Sequence, residues 1–174
     1  YMLNGKFKHK DSAGNEGYLS DGSVQWMTAG KGVIHSEMPE QTDGLSRGFQ
    51  LWLNLPKKLK MIEPSYNDIP AESIPKIDIP GGHIKVICGE INGMKGPGRA
   101  HTGMLYYDIS LSPGNNIEIS VDDDWNSFVY VYNGKAKIAN KSLNSGQLGV
   151  LSDSGMVNLH VDGLSDLKCI IVGG

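Results

Sequence analysis

The chain has 174 residues, and its 16 basic and 19 acidic side chains give a formal net charge of −3. That balance provides no overall field to draw the chain onto phosphate backbones or anionic lipid, so we expect no direct binding to nucleic acid or membranes. Glycine accounts for 23 residues and proline for 8, which predicts many tight turns and a β protein.

The first segments have the pattern of short strands separated by turns. Asn4 and Gly5 form the dipeptide that most readily supplies positive φ in a tight hairpin turn, so we expect a hairpin around them. Residues 11–15 and 20–22 predict two further turns, and residues 24–28 predict the strand that follows. Short strands at this spacing are typical of a sandwich or a barrel.

His35 and Glu37 end a segment punctuated by glycines, residues 22–39. In an extended strand the two side chains share one face, and inside a closed sheet that face can be the interior. An imidazole and a carboxylate suit Fe(II) and its first-row neighbours, with open positions left for a substrate or dioxygen. A solvated strand edge is the alternative for a His-x-Glu pair taken alone. The pair is the candidate metal site of the chain.

His9 and Asp11 repeat the same spacing. His9 could approach the same ion from a neighbouring strand. We favour instead a hydrogen bond accepted by the Asp11 carboxylate, which stabilises the turn there. Neither residue is therefore included among the predicted ligands.

Residues 49–55 alternate apolar and polar in part, which predicts a strand buried on one face. Residues 56–80 contain five prolines, which fix φ and remove ladder donors, so the boundary between two halves is expected there. We predict an N-terminal domain over residues 1–73 and a C-terminal domain over residues 74–174. Aromatic residues such as Trp52 would line a cavity for a flat ligand or pack in the core.

The second half repeats the first. Residues 131–137 restate residues 2–8 at an offset of 129, and residues 145–152 restate residues 21–28 at an offset of 124. Two tandem β-barrels are the simplest interpretation. The second copy offers residues 153–160 where the first has His35 and Glu37, without the His-x-Glu pair. Any metal is therefore expected in the first half.

Two cysteines, Cys88 and Cys169, both lie among strand-forming residues. Small apolar packing is the commoner role for such cysteines and fits a reducing compartment. A disulfide between them stays open at this point.

The segment 22–39 resembles the second conserved motif of cupins, and its Gln-Trp-Met-Thr-Ala-Gly and His-x-Glu-Met-Pro runs are similar to the pirin family. The resemblance continues through residues 1–7, 51–55, 61–66 and 125–130. It implies an all-β fold of two tandem cupin barrels of the jelly-roll type, with a metal site in the first barrel and none in the second.

Pirins hold their metal with four groups, two of them at the positions of His35 and Glu37. The other two come from a His-Pro-His-Arg-Gly segment that lies shortly before the position of Tyr1, and pirins also continue beyond the position of Gly174. The resemblance therefore implies that the chain is a fragment whose first barrel is incomplete at its N-terminus. With two ligands its metal affinity would be weak, and the metal could be absent.

Two functions follow from the resemblance. As an Fe(II) quercetin 2,3-dioxygenase, the intact protein would bind a flavonol through its 3-hydroxyl and 4-carbonyl and cleave the heterocycle with release of carbon monoxide. His35 and Glu37 would hold the iron, and Glu37 could accept the flavonol proton; the fragment itself is expected to be inactive. The alternative is a co-regulator of nucleus and cytoplasm that binds transcription-factor partners according to the iron oxidation state. A metal-free structural fragment is the third possibility.

Overall fold

The computed structural model describes residues 1–12, 14–40, 43–151 and 155–174. These residues form short strands and two single-turn 3-10 helices, Lys57–Leu59 and Ala71–Ser73. The all-β prediction is confirmed. Two compact units divide the chain, Tyr1–Ile74 and Pro75–Gly174.

The first unit contains seven described strands arranged in three small sheets. They are β1 (Met2–Asn4), β2 (Phe7–Asp11), β3 (Glu16–Leu19), β4 (Val24–Thr28), β5 (His35–Pro39), β6 (Arg47–Gly48) and β7 (Ser65–Ile69). The sheets have the orders β1-β6, β3-β2-β5 and β4-β7, and all pairs are antiparallel.

The sheet β3-β2-β5 has one charged face and one inner face. On the charged face Lys8 and Lys10 lie 2.6 and 2.8 Å from the Glu16 carboxylate. Hydrogen bonds from Lys10 and Lys8 lower the pKa of Glu16 to about 2. His9 and Gly17, which are direct cross-strand partners, are buried on the other face. The alternation of the strands thus places Lys8, Lys10 and Glu16 on one face and the buried His9 on the other.

The second unit is larger. Its strands are β8 (Lys76–Ile79), β9 (Gly82–Cys88), β10 (Glu90–Ile91), β11 (Met94–Lys95), β12 (Leu105–Leu111), β13 (Asn116–Val121), β14 (Ser127–Asn133), β15 (Lys135–Ile138), β16 (Lys141–Asn144), β17 (Leu148–Leu151), β18 (Gly155–Val161) and β19 (Leu167–Gly173). They form a six-stranded sheet, β17-β14-β19-β12-β9-β8, a four-stranded sheet, β13-β18-β15-β16, and the hairpin β10-β11.

The main hydrophobic core lies in the second unit and is built from both of its large sheets. Strands β9, β12, β14 and β19 contribute from one sheet, and β13, β15 and β18 from the other. Its most deeply buried members, with no exposed surface, are Ile84, Val86, Ile109, Val129, Val131, Ala136, Leu159, Leu167, Cys169 and Ile171. Most are β-branched or leucine, the residue types that pack well on a pleated surface.

The predicted hairpin at Asn4 and Gly5 is wrong. Gly5 has the expected positive φ of 100°, but β1 pairs with β6 while β2 pairs with β3 and β5. The dipeptide forms a corner between two sheets, where the Gly5 N–H donates to the Asp21 carboxylate at 2.7 Å. Asn133 and Gly134 form the same corner between β14 and β15, which also lie in different sheets.

The two corners share a pair of backbone hydrogen bonds. In the first unit the Gly22 N–H donates to the Met2 carbonyl at 2.9 Å, and the Met2 N–H donates to the Ser23 carbonyl at 3.0 Å. In the second unit the Gly146 N–H donates to the Val131 carbonyl at 2.8 Å, and the Val131 N–H donates to the Gln147 carbonyl at 3.0 Å. These positions are related by the offsets of the sequence repeat, so the two units share the same backbone hydrogen bonds as well as similar residues.

The predicted strand over residues 49–55 is also wrong. The ladder ends at Gly48, apart from backbone bonds between Tyr1 and Phe49, and residues 50–55 have no strand assignment. Trp52 is 86% exposed, so it is not part of a core. Apolar residues alone do not make a strand, because the backbone also needs a hydrogen-bonded neighbour.

A buried hydrogen bond joins two strands of the six-stranded sheet. The Tyr132 hydroxyl donates to the Asp108 carboxylate at 2.6 Å, and both side chains are buried. We expect Tyr132→Phe to lower the free energy of unfolding by about 1.5–3 kcal/mol, the range for a hydrogen bond to a charged group. Urea unfolding of wild type and Tyr132→Phe measures the loss. Equal stability of the two proteins would contradict the expectation.

Cys88 and Cys169 are both buried and free, which confirms buried thiols and answers the open question of a disulfide. Burial raises the pKa of both thiols.

Within the described ranges, no helix is long and apolar enough to cross a membrane.

Candidate functional site

The pairing of β2 with β5 brings four polar side chains to one face of the sheet. His9 lies opposite Glu37, and Asp11 lies opposite His35. Direct cross-strand partners in an antiparallel pair point to the same side, and so do residues two apart on one strand. The two His-x-acid pairs of the sequence therefore belong to a single cluster.

His35 and Glu37 are exposed to solvent, although they share this face with the fully buried His9. The pair therefore lies on the inner face of the sheet but remains accessible to water. The Glu37 carboxylate accepts a hydrogen bond from the Gln50 side-chain amide at 3.5 Å, which is at the long limit for such a bond. Both candidate ligands are open to an incoming ion.

His9 is the buried member of the cluster. It has no exposed surface, and neither of its ring nitrogens has a hydrogen-bond partner in the described structure. Its ring stacks on Tyr66 at 4.7 Å between centroids and 12° between planes, and it lies 5.6 Å from the His35 ring. A buried polar group without a partner costs about 1–3 kcal/mol, so its presence needs an explanation.

Hydrogen bonds hold Tyr66 in place against His9. Its hydroxyl donates to the Asp68 carboxylate at 2.9 Å and accepts from the Gln25 side-chain amide at 2.8 Å. Burial first, and the bond to Asp68 second, raise the pKa of Tyr66, so the phenol stays neutral. Gly17 leaves the space for this arrangement, because a Cβ there would overlap the Asp68 carboxylate and the Tyr66 hydroxyl.

Asp11 has the role that the sequence predicts. Its carboxylate oxygens accept hydrogen bonds from the Asn15 backbone N–H at 2.9 Å and from the Asn15 side-chain amide at 2.7 Å. It therefore stabilises the turn after β2. His9, which was left out of the predicted set, lies on the same face as the candidate ligands, with its ring 5.6 Å from that of His35. The signal that could have found it is the matched two-residue spacing of the two pairs, which allows them to face each other across neighbouring strands.

The second unit has aliphatic residues at the equivalent positions. Ile138 follows its corner glycine by four residues, as His9 does. Its cross-strand partner is Leu159, which corresponds to Glu37, and Val157 two residues earlier corresponds to His35. No polar cluster forms at these three positions. Of the predicted counterpart segment 153–160, residues 153 and 154 lie outside the described residues.

The donor set fits a divalent transition metal in its chemistry. His35 and Glu37 supply an imidazole and a carboxylate, and the partnerless buried imidazole of His9 lies beside them. Among the residues that the structure describes, no group of three or more His, Cys, Asp or Glu side chains is arranged to hold a metal ion. The described chain therefore presents two side chains whose donor atoms suit a metal centre in kind, and the described residues do not complete one.

Comparisons with known proteins agree on one family. The Pirin family model matches residues 1–53, and the model of the Pirin C-terminal cupin domain matches residues 106–174. A pirin-like protein of Caulobacter vibrioides is 42% identical over 177 residues, which cover 100% of this chain and 63% of that protein. The chain spans 47% to 63% of the length of the first four curated relatives that it matches.

Solved structures show the same fold. The crystal structure of a quercetin 2,3-dioxygenase from Acinetobacter baumannii, 32% identical, matches with a TM-score of 0.92 over 99% of this chain and 62% of that chain. A bacterial pirin from Escherichia coli, solved in complex with nickel(II), is 20% identical and matches with a TM-score of 0.77 over 99% of this chain and 69% of that one. The arrangement of two cupin domains is thus confirmed.

Proposed function

The chain belongs to the pirin family, and from that premise we propose that His35 and Glu37 are two ligands of a divalent metal centre, with Fe(II) as the metal. We further propose that the whole protein is a quercetin 2,3-dioxygenase acting on flavonols. The observation that supports the proposal is the contrast between the units, because the polar cluster of the first is aliphatic in the second.

The residues of the site suggest a division of roles. When bound, a divalent iron supplies Lewis acidity and an electron path to dioxygen. His35 and Glu37 share one face of β5 and are both exposed, so their donor atoms are accessible to an ion. The Glu37 carboxylate has one long hydrogen bond, from Gln50, and can accept the proton of a flavonol 3-hydroxyl as a general base.

Metal binding is the direct test of the site. Anaerobic calorimetric titration of the chain with Fe²⁺ should show weak binding, and His35→Ala and Glu37→Gln should each remove it, because one remaining ligand cannot compete with water. His160→Ala is the matched control, since His160 is an exposed strand histidine of the second unit, and it should leave binding unchanged. Equal binding by wild type and His35→Ala would contradict the proposal. A wild-type chain without binding would favour the metal-free structural fragment.

The proposed dioxygenase activity of the whole protein needs a separate experiment. Carbon monoxide release from quercetin by the iron-loaded full-length protein, lost on His35→Ala, would support it. Absence of turnover in a protein that binds iron at His35 would reject the dioxygenase. The co-regulator role, its transcription-factor partners, and the nuclear and cytoplasmic location stay predictions from the family resemblance.

A further inference from the structure

His9 is a buried imidazole whose two nitrogens have no partner in the described structure. Buried polar groups in folded proteins are nearly always hydrogen-bonded, and an exception indicates a role or a missing partner. Ile138, at the equivalent position of the second unit, shows that an aliphatic side chain suits this place in the fold. The imidazole is thus present in the unit that has the His-x-Glu pair, and the aliphatic residue in the unit that lacks it.

The surroundings of His9 fix its ring next to a candidate ligand. The ring stacks flat on Tyr66, which is itself held by Gln25 and Asp68. The His35 ring lies 5.6 Å away at an interplanar angle of 38°. That separation is close to the spacing of two imidazoles joined by an N–H···N bond, because such a bond spans about 3 Å between the nitrogens.

A histidine that binds a metal through one nitrogen carries a proton on the other, and that N–H almost always donates to a nearby acceptor. Among the described residues the exposed His35 side chain makes no hydrogen bond, and its ring lies against the ring of His9. His9 offers the acceptor, since a neutral imidazole has one unprotonated nitrogen.

We propose that His9 is a positioning residue of the metal centre, which accepts the ring N–H of His35 once the metal holds that ring. The proposal rests on the proposed function of His35 as a ligand. Stacking on Tyr66 holds the His9 ring beside that of His35. No bond to the metal is assigned to His9, in keeping with the lack of a three-group metal site in the described ranges.

Zn²⁺ titration of the 174-residue chain, followed by NMR of the imidazole groups, tests the proposal. In the wild type, the zinc-bound form should show a His35 N–H proton that exchanges slowly with water. His9→Phe retains a ring to stack on Tyr66 but removes the acceptor, so this signal should disappear and Zn²⁺ affinity should fall about 10–100-fold. His9→Gln retains an acceptor and should keep most of the affinity.

The outcomes separate this inference from the proposed function. Zn²⁺ affinity unchanged by His35→Ala would reject His35 as a ligand and both proposals with it. Affinity lost in His35→Ala but unchanged in His9→Phe would overturn the role of His9 alone. If His9→Phe and His9→Gln both abolished Zn²⁺ binding as completely as His35→Ala, His9 would be a ligand, and the positioning role would be overturned. Circular dichroism shows whether the variants fold. If they do not, the wild type alone decides: absence of a slowly exchanging His35 N–H in its zinc-bound form would overturn the inference.

Discussion

Ile171→Ala should lower the free energy of unfolding of the second unit by about 2–5 kcal/mol, the cost of truncating a buried isoleucine. Ile171 has no exposed surface. It lies on β19 between two neighbours of the sheet, opposite Tyr107 on β12 and Val129 on β14. The surrounding strands are hydrogen-bonded on both sides, so they cannot collapse into the space that the side chain leaves, and a cavity remains.

Hydrogen exchange of the β19 backbone under native conditions measures this loss in the second unit separately from the first. Val150→Ala is the control, because Val150 is 79% exposed and its truncation should change stability by less than about 0.5 kcal/mol. Similar protection of β19 in both variants would mean that the second unit is not organised around this core.

Gly134→Ala should destabilise the second unit by about 2–5 kcal/mol, for two reasons that act together. Gly134 has a φ of 75°. Any residue with a Cβ atom loses free energy when its backbone is held in this left-handed region. A Cβ at this position would also overlap the Asp166 backbone carbonyl, and a backbone atom cannot move aside as the end of a flexible side chain can. The corner between β14 and β15 would have to open.

Gly163→Ala provides the matched control in the same unit. The φ of Gly163 lies outside the positive, left-handed region. The nearest atom to an added Cβ would be the Lys135 Cβ at 3.9 Å. That change should be neutral or stabilising by up to about 1 kcal/mol, through the unfolded chain. Thermal unfolding followed by circular dichroism compares the two variants. Equal melting temperatures would show that the corner tolerates a side chain.

Local features of the sequence predicted much of the fold. The run of residues 24–28 predicted the strand β4, and the repeated Asn-Gly dipeptides marked real corners. The dipeptide could not reveal that the chain passes from one sheet to another there. It fixes φ within the turn, whereas the pairing of the flanking strands depends on residues far away in the sequence.

The candidate site could be predicted only in part, for a similar reason. The spacing of His35 and Glu37 places them on one face whichever strand lies beside them. His9 joins them through the register between β2 and β5, and a one-residue shift of that register would turn it to the other face. Its burial depends further on Tyr66, which comes from β7. Neither the register nor this packing can be obtained from a single sequence.

The matching hydrogen bonds around the two Asn-Gly corners point to an ancestral duplication in which the copies diverged in their side chains and kept their main chain. One copy now has polar groups where the other has Ile138, Val157 and Leu159. Selection could therefore act on chemistry and on architecture independently. A unit with aliphatic residues at these positions can therefore keep the same main-chain framework as the unit with the polar cluster.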